Sequence, residues 1–360
     1  MSVRVRAVEL FRIRLPLVVP FRSARGTTTT KDALLVRVVT DDGDGWGEVG
    51  AEVAPTYAPD TLATSRLVLR DELVPRLFAG AVLDDVRGHH PARAGLLNAL
   101  LDARLRVAGM SLATYLGSDT PSVATGVAIG ITDRAALADA ATAYVAQGYR
   151  SLKIKIAPDA DVDAIAAVRD AVGSRVTLQA DANGSYTLDD TDHLLALDQY
   201  ELACLEQPLA PDALLDHARL GERLRTPIGL DESITSEAVV GDAIAMRACR
   251  VVSIKNTLVG GIEAAKRAHD VCVATNVAAR AGGMLETGVG RAALVALASL
   301  PGFTVPGDLS ASDRYFAHDI TEPFVLEDGR LAVPTGPGLG VSPLPDRVAA
   351  CTLARERLEG

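Results

Sequence analysis

Five ionisable residues recur along the middle of the chain at a nearly constant interval. Lys155, Asp181, Glu206, Asp231 and Lys255 stand 26, 25, 25 and 24 residues apart. Each closes a short apolar or β-branched run: SLKIK (151–155), VTLQAD (176–181), LACLE (202–206), PIGLD (227–231) and VVSIK (251–255). Three more runs share that character, VATGVAIGI (123–131), VAARAG (277–282) and FTVPGD (303–308). Between them lie amphipathic stretches such as Ala135–Gln147, Asp161–Val172 and Gly261–Ala274, with apolar residues at helical spacing. Eight strand-like runs alternating with helices predict an α/β chain folded as a (β/α)₈-type barrel over residues 119–318. A doubly wound open sheet is the competing reading. It would bind its ligand at one switch point, whereas here polar residues end strand after strand.

A barrel of about 250 residues leaves part of this 360-residue chain over. The surplus lies at both ends. Val3–Leu15 alternates and turns at Pro16 and Pro20; Ala33–Thr40 then leads through Asp41-Asp42-Gly43-Asp44-Gly45 into Trp46-Gly47-Glu48. That is a strand–turn–strand signal with suitable turn chemistry. Helical patterns follow from Pro59 to Leu116, and the tail Ile320–Val341 reads as strand and turn. These parts predict an α+β capping domain built from residues 1–118 and from a C-terminal segment, 319–360, that returns to it. Phe21–Lys31, polar and rich in small residues, suits a mobile lid over the barrel mouth, with a plain surface hairpin as the alternative. Gly336-Pro337-Gly338-Leu339-Gly340 is flanked by proline with no helix after it, so a turn is expected there and not a phosphate cradle.

A formal net charge of −10 argues against nucleic acid or an anionic membrane as partner, since both demand clustered Lys and Arg. The start, Met1–Arg6, is followed by Glu9, Arg12 and Arg14, and the alanine-rich runs are broken by charge within a turn or two. No signal peptide or membrane span is expected, and a cytoplasmic location follows. Cys204, Cys249, Cys272 and Cys351 sit in apolar or helical contexts without close pairing, which predicts reduced thiols. The six histidines fall outside the strand ends and read as structural or exposed.

The strand ends carry the chemistry. In a barrel the active site lies at the C-terminal ends of the strands, where aliphatic residues would serve if packing were all that mattered. Three carboxylates on adjacent strands repel one another in a partly buried mouth and need a cation between them. Asp181, Glu206 and Asp231 are therefore read as ligands of one ion. An all-oxygen set favours Mg²⁺, with Mn²⁺ as a substitute, and leaves positions for water and substrate. Lys153 and Lys155 are two apart on one strand, so both point inward. Strands two and six of eight are opposed, so Lys155 and Lys255 would face each other across a substrate. A neighbouring ammonium and a divalent ion both lower the pKa of Lys155 towards that of a working base. The reaction class is removal of the α-proton of a small carboxylate, giving an enediolate stabilised by the ion. The bland reading makes each acid a helix cap, Asp231-Glu232-Ser233 included, and Lys153 a simple ion-pair partner.

These residues resemble the enolase superfamily in its muconate-lactonizing subgroup, which carries K-x-K on the second strand and a lysine on the sixth. The resemblance spans essentially the whole chain and is nearest to the o-succinylbenzoate synthase/N-succinylamino acid racemase (N-acylamino acid racemase) family. Its matching stretches are PLVVPFRS (16–23), GWGE (45–48), KIK (153–155), DAN (181–183), EQPL (206–209), LDES (230–233), GGMLETGVGRAALVALASLPGF (282–303) and PTGPGLGV (334–341). The resemblance implies Asp181, Glu206 and Asp231 as Mg²⁺ ligands with Glu232 supporting them, and Lys155 and Lys255 as the acid/base pair. It also implies Lys153 and Asn183 beside the substrate carboxylate, Gly283-Met284-Leu285 in the substrate wall, and a homo-oligomer.

Two departures bear on the product. Racemising relatives look like K-P-G-R after the sixth-strand lysine, whereas this chain has Lys255-Asn256-Thr257-Leu258, and Leu258 supplies no cation to tune Lys255. Ala128 stands where close relatives offer Ser, and Ala279-Arg280-Ala281 replaces a Trp-Cys-Gly-like segment. Racemisation needs proton transfer by both lysines and syn dehydration by one, so dehydration is expected, with racemisation or a muconate-type cycloisomerisation as alternatives. A Schiff-base lysine aldolase predicts borohydride trapping and no metal requirement. A catalytically silent metal-storage protein predicts no α-proton exchange.

Overall fold

The computed structural model of the chain describes residues 3–83 and 85–360; Met1, Ser2 and Asp84, all in the stretch expected to form the capping domain, lie outside it. Three sheets organise the described residues. The N-terminal sheet is antiparallel: β1 (Val5–Ser23), β2 (Gly26–Thr40), β3 (Gly45–Val49) and, from the far end of the chain, β14 (Thr352–Glu359), in the order β14-β1-β2-β3. The turn read from Asp41–Asp44 closes β2 on β3 with Val38 opposite Gly45 and Leu34 opposite Val49. A helix at His90–Ala108 covers this sheet. The contact needs glycine on both sides, because a Cβ on Gly47 would meet the carbonyl oxygen of Gly95 at 2.1 Å.

The second sheet is parallel and has seven strands: β5 (Val127–Ile129), β6 (Ser151–Lys155), β7 (Thr177–Asp181), β8 (Cys204–Glu206), β9 (Ile228–Leu230), β10 (Val251–Ile254) and β11 (Ala278–Ala281). Helices such as Arg134–Ala146, Val162–Val172, Glu237–Ala245 and Ile262–Thr275 connect successive strands. They begin where the local chemistry asks: Asp133 and Ser236 accept hydrogen bonds from the backbone of Ala136 and Val239. Leu152, Ile154, Leu178, Ala180, Leu205, Val252 and Ile254 all belong to the main hydrophobic core. The alternate residues of these strands therefore face the opposite side of the sheet.

Two strand expectations need correction. The run 123–131 is not one strand. Its first part, β4 (Ser122–Ala124), pairs with β13 (Arg330–Ala332), which pairs with β12 (Leu326–Glu327), and only β5 enters the parallel sheet. Gly126 marks the break, since a Cβ there would meet the carbonyl oxygen of Ser151 at 2.8 Å. The tail consequently splits: 326–332 joins β4, while 352–359 joins β1. The run 303–308 forms no regular strand: Pro301 precedes it and Pro306 lies within it. It still spans the gap between the sheet's two edges, with single parallel bridges from Phe303 to Ala279 and from Gly307 to Thr125.

The four cysteines are free, and no helix of the described residues is long and apolar enough to cross a membrane.

Candidate active site

The sheet register aligns the expected residues at one end of the strands. Lys155 pairs with Asp181, and Asp181 with Glu206. Asp231 and Lys255 stand one residue beyond β9 and β10. One layer deeper the inward-facing residues are Lys153, Gln179, Cys204, Ser253 and Arg280, aligned by the same register. Aliphatic layers usually fill a parallel barrel. This interior is polar instead, with a reason in its charge.

The carboxylates are held by ammonium and guanidinium groups. Lys155 Nζ donates to Asp181 Oδ2 at 2.5 Å and to Asn183 Oδ1 at 2.9 Å. Lys153 Nζ lies between Asp181, Glu206 and Asp308 at 3.0, 3.3 and 3.0 Å. Lys255 Nζ donates to Asp231 Oδ2 at 2.7 Å and also to the Tyr57 hydroxyl, which itself donates to Asp231 Oδ2 at 3.0 Å. Asn183 Nδ2 donates to Glu232 Oε1 at 2.9 Å, and the same oxygen accepts from Arg25 Nη1 at 2.5 Å. All of these carboxylates and lysines are buried.

Burial and pairing set the ionisations. Burial is the largest influence on Asp181, but Lys155 and Lys153 outweigh it and hold the carboxyl far below the usual range. Burial prevails for Glu206 and pushes it up to about 7 against the opposing pull of Arg280 and Lys153. The two lysines at the strand ends diverge. Lys155 is shifted down, chiefly by burial with the Lys153 ammonium adding to it. Burial is the largest influence on Lys255, but Asp231, Glu232 and Glu206 together outweigh it and shift the lysine up.

Above these groups is a cavity of about 370 Å³. Lys155 and Lys255 both line it, with Phe21 and Tyr57 from the N-terminal part of the chain and Gly283, Met284 and Leu285 from the loop after β11. The β1–β2 hairpin reaches over the cavity: its tip places Arg25 on Glu232, and Lys31 Nζ donates to the Met284 carbonyl at 2.8 Å. Phe21–Lys31 thus forms a hairpin arm at the mouth, with Ser23 paired to Gly26. Asn183 lies below the cavity, bonded to Lys155 and Glu232.

Tyr57, Asp308 and Arg280 belong to this centre without a role in the sequence reading, where Arg280 stands only as a departure from its relatives. Tyr57 lies on a loop without periodicity, and no signal marks it. Arg280 had one: an arginine at an inward-facing position of an apolar run has no packing role there. Its guanidinium is fully buried and donates to Glu206 Oε2 at 2.6 Å, to Gln179 Oε1 at 2.7 Å and to Asp308.

Among the described residues no three Asp, Glu, His or Cys side chains stand close enough together to hold a metal ion as they are; lysines and Arg280 are ion-paired to the carboxylates. The donor chemistry nevertheless fits a hard divalent cation. It is all oxygen, it sits at the strand ends, and Asp231 Oδ1 is buried with no hydrogen-bond partner.

Residues 136–347 match the family model described as enolase C-terminal domain-like. An N-succinylamino acid racemase from Amycolatopsis sp is 46% identical to this chain over 362 residues, with 98% of each chain covered. An o-succinylbenzoate synthase from Geobacillus stearothermophilus is 42% identical, with 94% of each covered. The crystal structure of an enolase superfamily member from Listeria innocua Clip11262 superposes with a TM-score of 0.95 at 35% identity, covering 99% of both chains.

Proposed function

This chain belongs to the enolase superfamily, in the group that holds o-succinylbenzoate synthases and N-succinylamino acid racemases, and from that premise we propose that it acts as an o-succinylbenzoate synthase. The reaction is a syn dehydration begun by taking the α-proton of a small carboxylate. The observation that carries this reading is the placement of the two cavity lysines: Lys155 lines the cavity from Asp181 and Asn183, while Lys255 lines it tied to Asp231 and Tyr57, and their opposite pKa shifts agree with it. One is suited to take a proton and the other to stay an ammonium.

Asp181, Glu206 and Asp231 would hold Mg²⁺, or Mn²⁺ in its place, with Glu232 beside them. When bound, the ion supplies Lewis-acid stabilisation of the charge that develops on the substrate carboxylate. Lys155 Nζ is the proposed base, and its bonds to Asp181 and Asn183 aim it into the cavity. Having taken the α-proton, the same ammonium protonates the departing hydroxyl, so water leaves from the face that lost the proton. Lys255 keeps its proton and opposes the developing charge electrostatically. Tyr57 orients Lys255 from the loop side, and Lys153 fixes Asp181, Glu206 and Asp308 in place. Gly283, Met284 and Leu285 form the substrate wall.

The framework of this reading is a barrel closed by 303–307, for which the bridges to Ala279 and Thr125 give support. The proposed division is a barrel over 119–318 and a capping domain over 1–118 that the segment 319–360 rejoins; the pairing of β14 with β1 supports this for 352–359, while β13 pairs with β4 on the way.

Racemisation of N-succinylamino acids is the second reading, favoured by the similarity to the Amycolatopsis racemase. It requires Lys255 to give and take protons, and Leu258, buried in the turn of helix Asn256–Val259, supplies no charge to help it. The test measures o-succinylbenzoate formation and racemisation of several N-succinylamino acids in parallel with Mg²⁺. The synthase reaction should have the clearly higher kcat/KM; equal values for the two would sink the preference. EDTA should abolish both.

A further inference from the structure

We propose that Arg280 is a built-in counter-charge that weakens the site's hold on a divalent cation, acting through Glu206. The inference rests on the reading of Asp181, Glu206 and Asp231 as the cation's ligands.

Arg280 comes from the inward-facing layer of β11 and is completely buried. A guanidinium in such a place needs compensation. It has two carboxylates, Glu206 and Asp308, and the carbonyl oxygen of Gln179. Its Nε is buried without a partner. That unmet donor is a cost the fold bears for placing a charge there.

The charges around the strand ends balance. Asp181, Glu206, Asp231, Glu232 and Asp308 are in ion pairs with Arg25, Lys153, Lys155, Lys255 and Arg280, five acids against five cations. A divalent cation therefore enters a cluster already neutral and competes with a guanidinium for Glu206 Oε2. Without Arg280 the cluster carries one net negative charge, and of the two cations at that oxygen only Lys153, at 3.3 Å, remains. Arg280 is a positioning residue: it lines no part of the cavity and acts only through Glu206 and Asp308.

The test is equilibrium binding of Mn²⁺ to the substrate-free protein, followed by electron paramagnetic resonance of the free ion. Arg280→Met should tighten the Kd by about tenfold or more, while Arg280→Lys, which keeps the charge, should stay close to wild type. Unchanged or looser binding in Arg280→Met with a wild-type circular dichroism spectrum would overturn the proposal. If Arg280→Met does not fold, Asp308→Asn decides the matter. That change leaves the cluster with net positive charge and should loosen Mn²⁺ several-fold; equal or tighter binding would refute the idea. Asp231→Asn separates this inference from the reading beneath it. If wild type and Asp231→Asn bind Mn²⁺ equally, the three-carboxylate site itself is wrong. If Asp231→Asn loses binding and Arg280→Met gains none, only the role given to Arg280 falls.

Discussion

Lys155 and Lys255 carry the same side chain in opposite surroundings. A base must be neutral to accept a proton, so lowering the pKa of Lys155 below the usual 10.5 enlarges its active fraction near neutrality. The acid limb of kcat/KM should therefore rise with pH through one ionisation lying below the free-lysine value. Lys255, shifted up, stays charged throughout that range. In D₂O, Lys155→Ala should lose α-proton exchange by about a thousandfold or more, while Lys255→Ala should keep measurable exchange; proton NMR of the substrate reads both. Loss of exchange to the same extent in the two variants would return Lys255 to the role of a second base. Position also depends on what is missing from a neighbour. A Cβ on Gly282 would meet Ser253 Oγ at 2.6 Å and Lys255 Cε at 2.8 Å. Gly282→Ala should push the Lys255 stem aside and lower kcat by about a hundredfold with a much smaller change in KM, since an ångström of misplacement costs that much. Steady-state kinetics on the folded variant checks it.

At the scale of elements, the β1–β2 hairpin couples the antiparallel sheet to the cavity. Its tip is fastened at two points, Arg25 on Glu232 and Lys31 on the Met284 carbonyl. Removing Arg25 should loosen the arm without touching the proposed base, so Arg25→Ala is expected to raise KM about tenfold and leave kcat within a few-fold. A fall in kcat with KM constant would instead make Arg25 part of the chemistry. Elements also separate what the sequence made legible from what it hid. The strands β6 to β11 were readable because a parallel strand buried on both sides is a short apolar run, and each βα unit returns after a similar length. The site acids and lysines followed, since a charge ending such a run has no packing reason to be there. The break at Gly126 was hidden because β4 and β5 belong to different sheets yet read as one apolar stretch. The segment 303–308 reads as a strand in the sequence, but Pro306 within it leaves its pairing to single bridges. Tyr57 and the partners of Arg280 come from contacts between residues far apart in the chain, which no local pattern encodes.

For the whole molecule, the decisive joint is where β3 meets helix Gly288–Ala298, and its chemistry concentrates in Glu48. One of its carboxylate oxygens accepts from Thr287 N at 3.1 Å, Thr287 Oγ1 at 2.6 Å and Gly290 N at 3.0 Å, at the start of helix Gly288–Ala298. Burial pushes the Glu48 carboxyl up to about 7, with Lys31 opposing and Glu286 adding. The sign of the consequence follows from proton counting. Between the usual 4.5 and about 7 the folded chain keeps a proton that the unfolded chain releases. Unfolding then releases protons, so stability from this group is fullest below 4.5, declines as pH rises towards 7 and is level above it. Glu48→Gln mimics the protonated form and removes this dependence. It should be more stable than wild type by about 1–2 kcal/mol at pH 8 and nearly equal to it near pH 4.5, by urea unfolding at the two pH values. The competing force is the helix start itself, whose backbone N–H groups favour a negative charge. Were that the stronger effect, Glu48→Gln would be the less stable protein at pH 8, and the joint between the antiparallel sheet and this helix would hold an ionised carboxylate by design.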